Sequence, residues 1–470
     1  MFDFFEGVIE KLGVKLITDF SSKLIDFIKD IKSNSISSNN DNGGDYAQIG
    51  SSENSAQIGS SGNFAQIGSS GDFAKIGSSG DCAKIGSSGN SAQIGSSGDS
   101  AQIGSSGNSA QIGSSGDYAQ IGSSGDSAQI GSSGNSAQIG SSGDYAQIGS
   151  SGNSAQIGSS GDYAQIGSSG DCAKIGSSGY SAQIGSSGDY AQIGSSGDYA
   201  QIGSSGNSAQ IGSSGNSAQI GSSGNSAQIG SSGNSAQIGS SGNSAQIGSS
   251  GDFAKIDISG EHSVGFAAGI DSIIKAKKGT WISLCEYKKD ENNNWLPEFA
   301  LSAQIGNKDY KDFKGRILKE TEYYCLVNKN FYPVDVSDGI KTIKISEKKR
   351  DELTIIKGLS FQDYETEVYI VKSGEFSAHG ENLKQAMDDF LYKKTKSEET
   401  EKIVEEIKKT GKVNRAQYRA ITGACQFGTE QFIQQHNIQD LEEIELSELR
   451  KILTLDNFGA EEFWRLIDEK

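Results

Sequence analysis

The chain is poor in proline, in paired cysteine and in long apolar runs. Proline occurs only at Pro297 and Pro333 in 470 residues, which excludes collagen-like and polyproline architectures. The five cysteines, Cys82, Cys172, Cys285, Cys325 and Cys425, form no CxxC pair and leave one over. Neither a zinc site nor a disulfide framework is indicated, no cofactor is expected, and a reducing compartment fits. No uninterrupted apolar run approaches the ~18 residues of a membrane span, and the N-terminus, Met1-Phe2-Asp3-Phe4-Phe5-Glu6, is acidic where a secretory signal is basic. The expected location is the cytoplasm. Basic charge is also scarce, with 41 Lys and Arg against 59 Asp and Glu, a net of -18. This argues against nucleic acid or an anionic membrane as the main partner, because neutralising phosphates requires lysine and arginine fields. Spread over 470 residues, the charge is nevertheless too dilute to drive disorder.

Glycine is what the chain has in excess, 63 residues in all. Most of it belongs to one nonapeptide, Gly-Ser-Ser-Gly-(Asp or Asn)-x-Ala-(Gln or Lys)-Ile, of which 24 copies occupy residues 45 to 256. A fixed period this short predicts a mainly β protein built on a parallel β-solenoid. The x-Ala-Gln-Ile part reads as the strand, and alternation sends Ala and Ile to one face and x and Gln to the other. Ala119, Ile121, Ala155 and Ile157 are thus core candidates, while Tyr118 and Gln120 face water. Gly-Ser-Ser-Gly-Asp reads as the corner, with glycine supplying positive φ angles. Two repeats per coil suit the thin core that Ala and Ile can fill. They predict 12 coils from 24 copies, a rod about 55 to 60 Å long at ~4.8 Å per strand spacing.

The calcium-binding β-roll repeat GGxGxDxUx is the obvious comparison. Here the acid sits one position early and is Asp in 12 copies, Asn in 11 and Tyr180 in one, so calcium is not expected; a cation site does not discard its charge in nearly half its copies. The x column carries Tyr or Phe at 46, 64, 73, 118, 145, 163, 190, 199 and 253, Cys at 82 and 172, and Ser elsewhere. With two repeats per coil these aromatics divide between both sides, so no aromatic ladder is expected. The repeats also lack threonine, and neither a carbohydrate strip nor an ice-binding plane is indicated. Lys75, Lys84, Lys174 and Lys255 each follow an Asp by three residues, and the array's net charge is -9. That is sparse beside the one charge per ~1.7 Å of duplex DNA, which leaves an acidic DNA-duplex mimic inhibiting a host factor as an alternative only.

Residues 1–32 repeat apolar side chains at helical spacing: Phe5, Ile9, Leu12, Leu16, Phe20, Leu24, Phe27 and Ile31. Six acids against five lysines lack the basic bias of a membrane-surface helix. The segment reads as an amphipathic helix that either caps the first coil or joins chains into a homo-oligomer; residues 33–44 have linker composition.

After Ile256 the nonapeptide period decays, closing the solenoid near 274 and leaving His262 in the variable column. Residues 275–350 read as a small β module, with strand candidates from Trp281, at Glu298 to Ile305, at Tyr323 to Val327 and at Thr342 to Ile345. Residues 351–395 read strand, strand, helix, with Leu383, Ala386, Met387 and Phe390 inward. His379 reads as a turn or cap residue before that helix. Residues 396–470 read as helical; 418–425 and 429–436 have helix-turn-helix spacing, but the second helix has no Lys or Arg. No motif brings His379, His436 and Cys425 to a catalytic spacing.

The stretch Lys275-Ala276-Lys277-Lys278-Gly279-Thr280-Trp281-Ile282-Ser283-Leu284-Cys285-Glu286-Tyr287, placed directly after the repeats, and the later Ala378-His379-Gly380-Glu381-Asn382-Leu383-Lys384-Gln385-Ala386 resemble features of a phage, prophage and gut-bacterial protein family. In that family GDxSxA-type nonapeptide repeats end in a KAKGxxGxW-type strand, followed by an AHGxxLKxA helix motif. The present repeat departs from the family in having Ala-Gln-Ile. The resemblance lends context and no active site. The expected function is a non-enzymatic scaffold with a C-terminal protein-binding module, for which His379, Trp281 and Tyr323 are candidate contact residues. An adhesin or fibre component and an enzyme within 275–470 are the alternatives.

Overall fold

A computed structural model describes residues 44–337, 340–361, 363–422, 443–453 and 460–468. The N-terminal helix expected over 1–32, and with it Phe5, Ile9, Leu12, Leu16, Phe20, Leu24, Phe27 and Ile31, lies outside the described residues, as do Cys425 and His436. The chain forms two compact units, Met1–Val334 and Asp335–Lys470.

The first unit is a parallel β-solenoid. Strands of four residues recur every nine residues from β1 (Gln48–Ser51) to β26 (Ile273–Ala276). Each pairs in register with the strand 18 residues away, as Gln138↔Gln156 and Ile139↔Ile157 show. Odd and even strands therefore stack into separate sheets, two repeats make one coil, and the 26 strands give 13 coils.

Inside and outside are as expected: Ala119, Ala155, Ile121 and Ile157 are buried, Tyr118 is 64% exposed, and Gln120 and Gln156 are exposed. Strand and corner positions differ from expectation. The strand is Gln-Ile-Gly-Ser, beginning two residues later than x-Ala-Gln-Ile, so that the first serine of each pair turns inward and is buried from Ser69 to Ser249. The turn is centred on Asp or Asn and x.

Positive φ in the corners falls on no repeat glycine. It falls on the x residue of some coils, Ser55, Phe73, five serines from Ser208 to Ser244, and Phe253. The corner glycine is required for another reason. A Cβ on Gly161 would lie 1.9 Å from the carbonyl oxygen of Gly143 in the preceding coil, so only glycine lets the corners stack at strand spacing. The glycine within the strand has no such constraint; around Gly140 or Gly158 a Cβ would meet nothing within 4 Å.

The corners occur in two states. From Ser100 to Tyr199, x donates its N–H to the carbonyl of the preceding coil, as Tyr163 does to Asp144 at 2.8 Å. From Ser208 on, x donates to the following coil, Ser208 to Asn225 at 2.7 Å. In the second state, column side chains form a ladder: Asn207 Oδ1 accepts from Asn225 N–H at 3.1 Å, and Asn216 Oδ1 from Asn234 N–H at 3.0 Å. Five consecutive neutral Asn, 207 to 243, stack side chains without like-charge repulsion. The inward serines change partners too. Ser Oγ accepts the corner glycine N–H at 3.3 Å at Ser123, Ser159 and Ser168, whereas the buried Oγ atoms of Ser204, Ser213, Ser222, Ser231, Ser240 and Ser249 have no partner among the described residues.

The solenoid continues past 275. β27 (Trp281–Lys289) extends the odd sheet in parallel and pairs antiparallel with β28 (Trp295–Gln304); β29 (Tyr323–Val327) extends the even sheet antiparallel and pairs with β30 (Asn330–Ser337). The boundary between the two compact units falls at 334/335, inside the 275–350 stretch read as a small β module. Sheet continuation makes these strands the cover of the last coil.

The second unit has antiparallel strands β31 (Ile340–Arg350), β32 (Leu353–Ser360), β33 (Glu367–Ser373) and β34 (Phe376–Gly380), then helix α1 (Leu383–Thr410). Ala386 and Phe390 pack on Val371 and Ala378 with Met387 beside them, but Leu383 is 40% exposed. Asn382 caps α1, its side chain accepting from Gln385 N–H at 3.0 Å, so His379 is a strand residue paired with Ile370 and not the cap. Beyond Gly411, at φ 69, helices α2 (Arg415–Thr422), α3 (Leu446–Ile452) and α4 (Ala460–Asp468) share a core around Ile407, Phe463 and Trp464. The second helix of the helix-turn-helix reading, 429–436, lies outside the described residues.

Candidate functional site

The sequence candidates belong to different elements. Trp281 opens β27 on the odd sheet, meeting Tyr310 edge to face at 5.3 Å. Tyr323 opens β29 on the even sheet, and His379 stands in β34 of the second unit, half-buried. Among the described residues no group of three His, Cys, Asp or Glu is placed to hold a metal ion, and no helix is long and apolar enough to cross a membrane.

Tyr323 belongs to a packed charge cluster on the last coils. Its hydroxyl donates to Asp257 Oδ2 at 3.2 Å, and Lys275 Nζ pairs with the same carboxylate oxygen at 2.6 Å. Lys255 and Lys275 lie over the Tyr323 ring at 5.0 and 4.9 Å. Burial, then the Asp257 charge, push the phenol above its ordinary range, while burial lowers the Lys255 ammonium despite Asp257. These contacts fasten β29 to the rod, so the cluster reads as structural.

Two features run along the rod. On the odd sheet, Gln and Gly alternate outward, and the missing side chains of the glycine column leave an open groove of about 2160 Å³ passing Gln138, Gly140, Gln156 and Gly158. The other feature is at the corner leading into the even strands. Tyr145 and Tyr163, one coil apart, stack at 5.3 Å and 8°, and Tyr180 meets Tyr199 edge-on at 5.0 Å. The expectation that no aromatic ladder forms therefore fails locally. Dividing the x column between two sides hides that Tyr145 and Tyr163 share one corner a coil apart, and Tyr180, in the acid column, adds a ring beside Tyr199. A shorter stack, Tyr46 on Phe64 at 5.2 Å, lies on the opposite corner near the start of the rod.

Cys82, Cys172, Cys285 and Cys325 form no disulfide among the described residues, and burial raises the Cys285 thiol, keeping it protonated. Comparison of the chain with family models, curated proteins and solved structures finds no match.

Proposed function

We propose that this protein is a non-enzymatic scaffold whose solenoid displays protein-binding surfaces, with a further binding module in residues 335–470, and that it acts inside the cell in a phage or mobile-element setting. The observation that carries this reading is the partition of variation. Interior Ala and Ile are constant through the 24 copies, and apart from Glu53 in the corner-glycine column of the second copy the non-conservative changes between copies fall on the Asp/Asn, x and Gln/Lys columns, which face outward. A fold that holds its core fixed and varies its rim is suited to recognition, since exposed positions neither stabilise nor endanger the packing. The resemblance of 275–287 and 378–386 to phage and prophage repeat proteins supports the setting. Association through residues 1–32 into a homo-oligomer belongs to the same proposal, supported by their amphipathic spacing.

The test is recovery of partners from producing cells with the full chain and with a chain ending at Val334. A specific protein retained by the full chain and lost on truncation supports the C-terminal module, and retention of every partner by the truncated chain assigns binding to the rod. A chain that retains no protein but turns over a cellular metabolite overturns the reading.

A further inference from the structure

Among the described residues, repeats 10 to 18 hold the longest accumulation of exposed rings on a single corner of the solenoid. The turns into the even strands there carry Asp126, Asp144-Tyr145, Asp162-Tyr163, Tyr180 and Asp198-Tyr199 over five consecutive coils, about 19 Å at ~4.8 Å per coil. Tyr145, Tyr163, Tyr180 and Tyr199 are 46–59% exposed. The outward residue following each of these turns is glutamine, Gln129, Gln147, Gln165, Gln183 and Gln201, so no lysine compensates the four carboxylates on this edge.

The fold does not require this composition. From 207 to 244 the same columns hold only Asn and Ser, in strands of the same length and register. Asparagine also replaces the carboxylate as an acceptor: Asn207 Oδ1 takes the N–H of Asn225 at 3.1 Å, as Asp189 Oδ1 takes that of Asn207 at 3.1 Å. Folding therefore accounts for neither the rings nor the acids. Exposed tyrosines flanked by carboxylates suit a planar cation: guanidinium stacks on a phenol face while its N–H fork binds a carboxylate, a pairing a point-charge ammonium makes less well. The stack offers such a face at its start. In the coil before Tyr145 the x position is Ser127, and Asp126 lies on the adjoining rung, its carbonyl accepting Tyr145 N–H at 2.7 Å.

We infer that the corner from Asp126 to Tyr199 is a docking surface for an arginine-bearing segment of a partner protein. This rests on the scaffold reading and names the chemistry of one of its surfaces.

The experiment uses the full chain and a labelled octa-arginine peptide followed by fluorescence anisotropy at physiological salt, with octa-lysine as comparator. Three variants are measured: Tyr145→Ser/Tyr163→Ser/Tyr199→Ser, Asp126→Asn/Asp144→Asn/Asp162→Asn, and, on the opposite corner, Asp99→Asn/Tyr118→Ser. Each substitution installs a residue that other copies already hold at that column, and unchanged circular dichroism verifies the fold. Octa-arginine is expected to bind several-fold tighter than octa-lysine. The first two variants should weaken it by about tenfold or more, and the opposite-corner variant should leave it within about twofold. Binding that ignores the tyrosines, or falls equally for the opposite corner, reduces the effect to diffuse charge and overturns the inference, as does absence of binding. If the peptide fails while cellular partners are still retained, the corner inference alone falls and the scaffold reading stands.

Discussion

Identical inward serines in two separate blocks of the rod should respond to the same substitution with opposite sign. In the middle of the rod, six inward serines, Ser123, Ser132, Ser141, Ser150, Ser159 and Ser168, each accept the corner glycine N–H at 3.3 Å. Six others, Ser204, Ser213, Ser222, Ser231, Ser240 and Ser249, are equally buried, yet their Oγ atoms have no partner among the described residues. Replacing the first set by alanine removes six long hydrogen bonds and strands six glycine N–H groups. At about 1 kcal/mol for each buried donor left without a partner, the loss is about 6 kcal/mol. Replacing the second set removes buried hydroxyls that have given up water for nothing. At about 1 kcal/mol each, the gain is about 6 kcal/mol.

Intrinsic strand preference and the lost oxygen volume are the same in both sets, so the difference between the variants isolates the hydrogen bond. Urea titration followed by circular dichroism is the assay, because a solenoid's stability is a sum of local and nearest-neighbour terms and its blocks melt separately. The 123–168 variant should develop an early phase, and the 204–249 variant should lose amplitude at low urea and gain it at high urea. Destabilisation of both by similar amounts would refute the two-state account of the corners.

Three further outcomes follow from the coil geometry. Ile157→Asp places a carboxylate among buried Ala and Ile and should cost several kcal/mol, opening a mid-rod site to protease, whereas Gln156→Asp on the solvent face should remain resistant. Gly161→Ala drives a methyl to 1.9 Å from the Gly143 carbonyl oxygen and should cost about 2 kcal/mol or more, while Gly158→Ala, with open space around it, should leave the unfolding free energy from urea titration unchanged or raise it by up to about 1 kcal/mol. Calcium and chelator should both leave the circular dichroism of the full chain unchanged, because the neutral Asn copies make the same ladder bonds as the Asp copies.

Which residues are inside was legible because Ala and Ile alternate with polar residues at a period of two, and a one-residue slip would reverse every assignment. The same alternation does not say where a strand starts. Extending it two residues further, through Gly to Ser, keeps the pattern, and serine as an inward residue breaks the usual equation of polar with exposed. The role of the corner glycine was misread for a related reason. Sequence suggests a glycine's φ freedom, but the constraint at Gly161 comes from a carbonyl 18 residues earlier in the chain, which becomes a neighbour only once the coil closes.

In the second unit, helix α1 is legible from the apolar spacing of Ala386, Met387 and Phe390, but its start is not. Strand pairing of His379 with Ile370 holds residues that local signals assign to a turn, and Asn382 takes the cap. Surface features follow yet another logic. Column statistics treat each position of the repeat separately, so a tyrosine in the acid column counts as an exception. In space, Tyr180 stands one coil from the rings on either side, and the exception completes a run. Clusters of surface side chains on this solenoid are thus written across columns, at intervals of 18 residues give or take one, and a period longer than the repeat is where such information has to be sought.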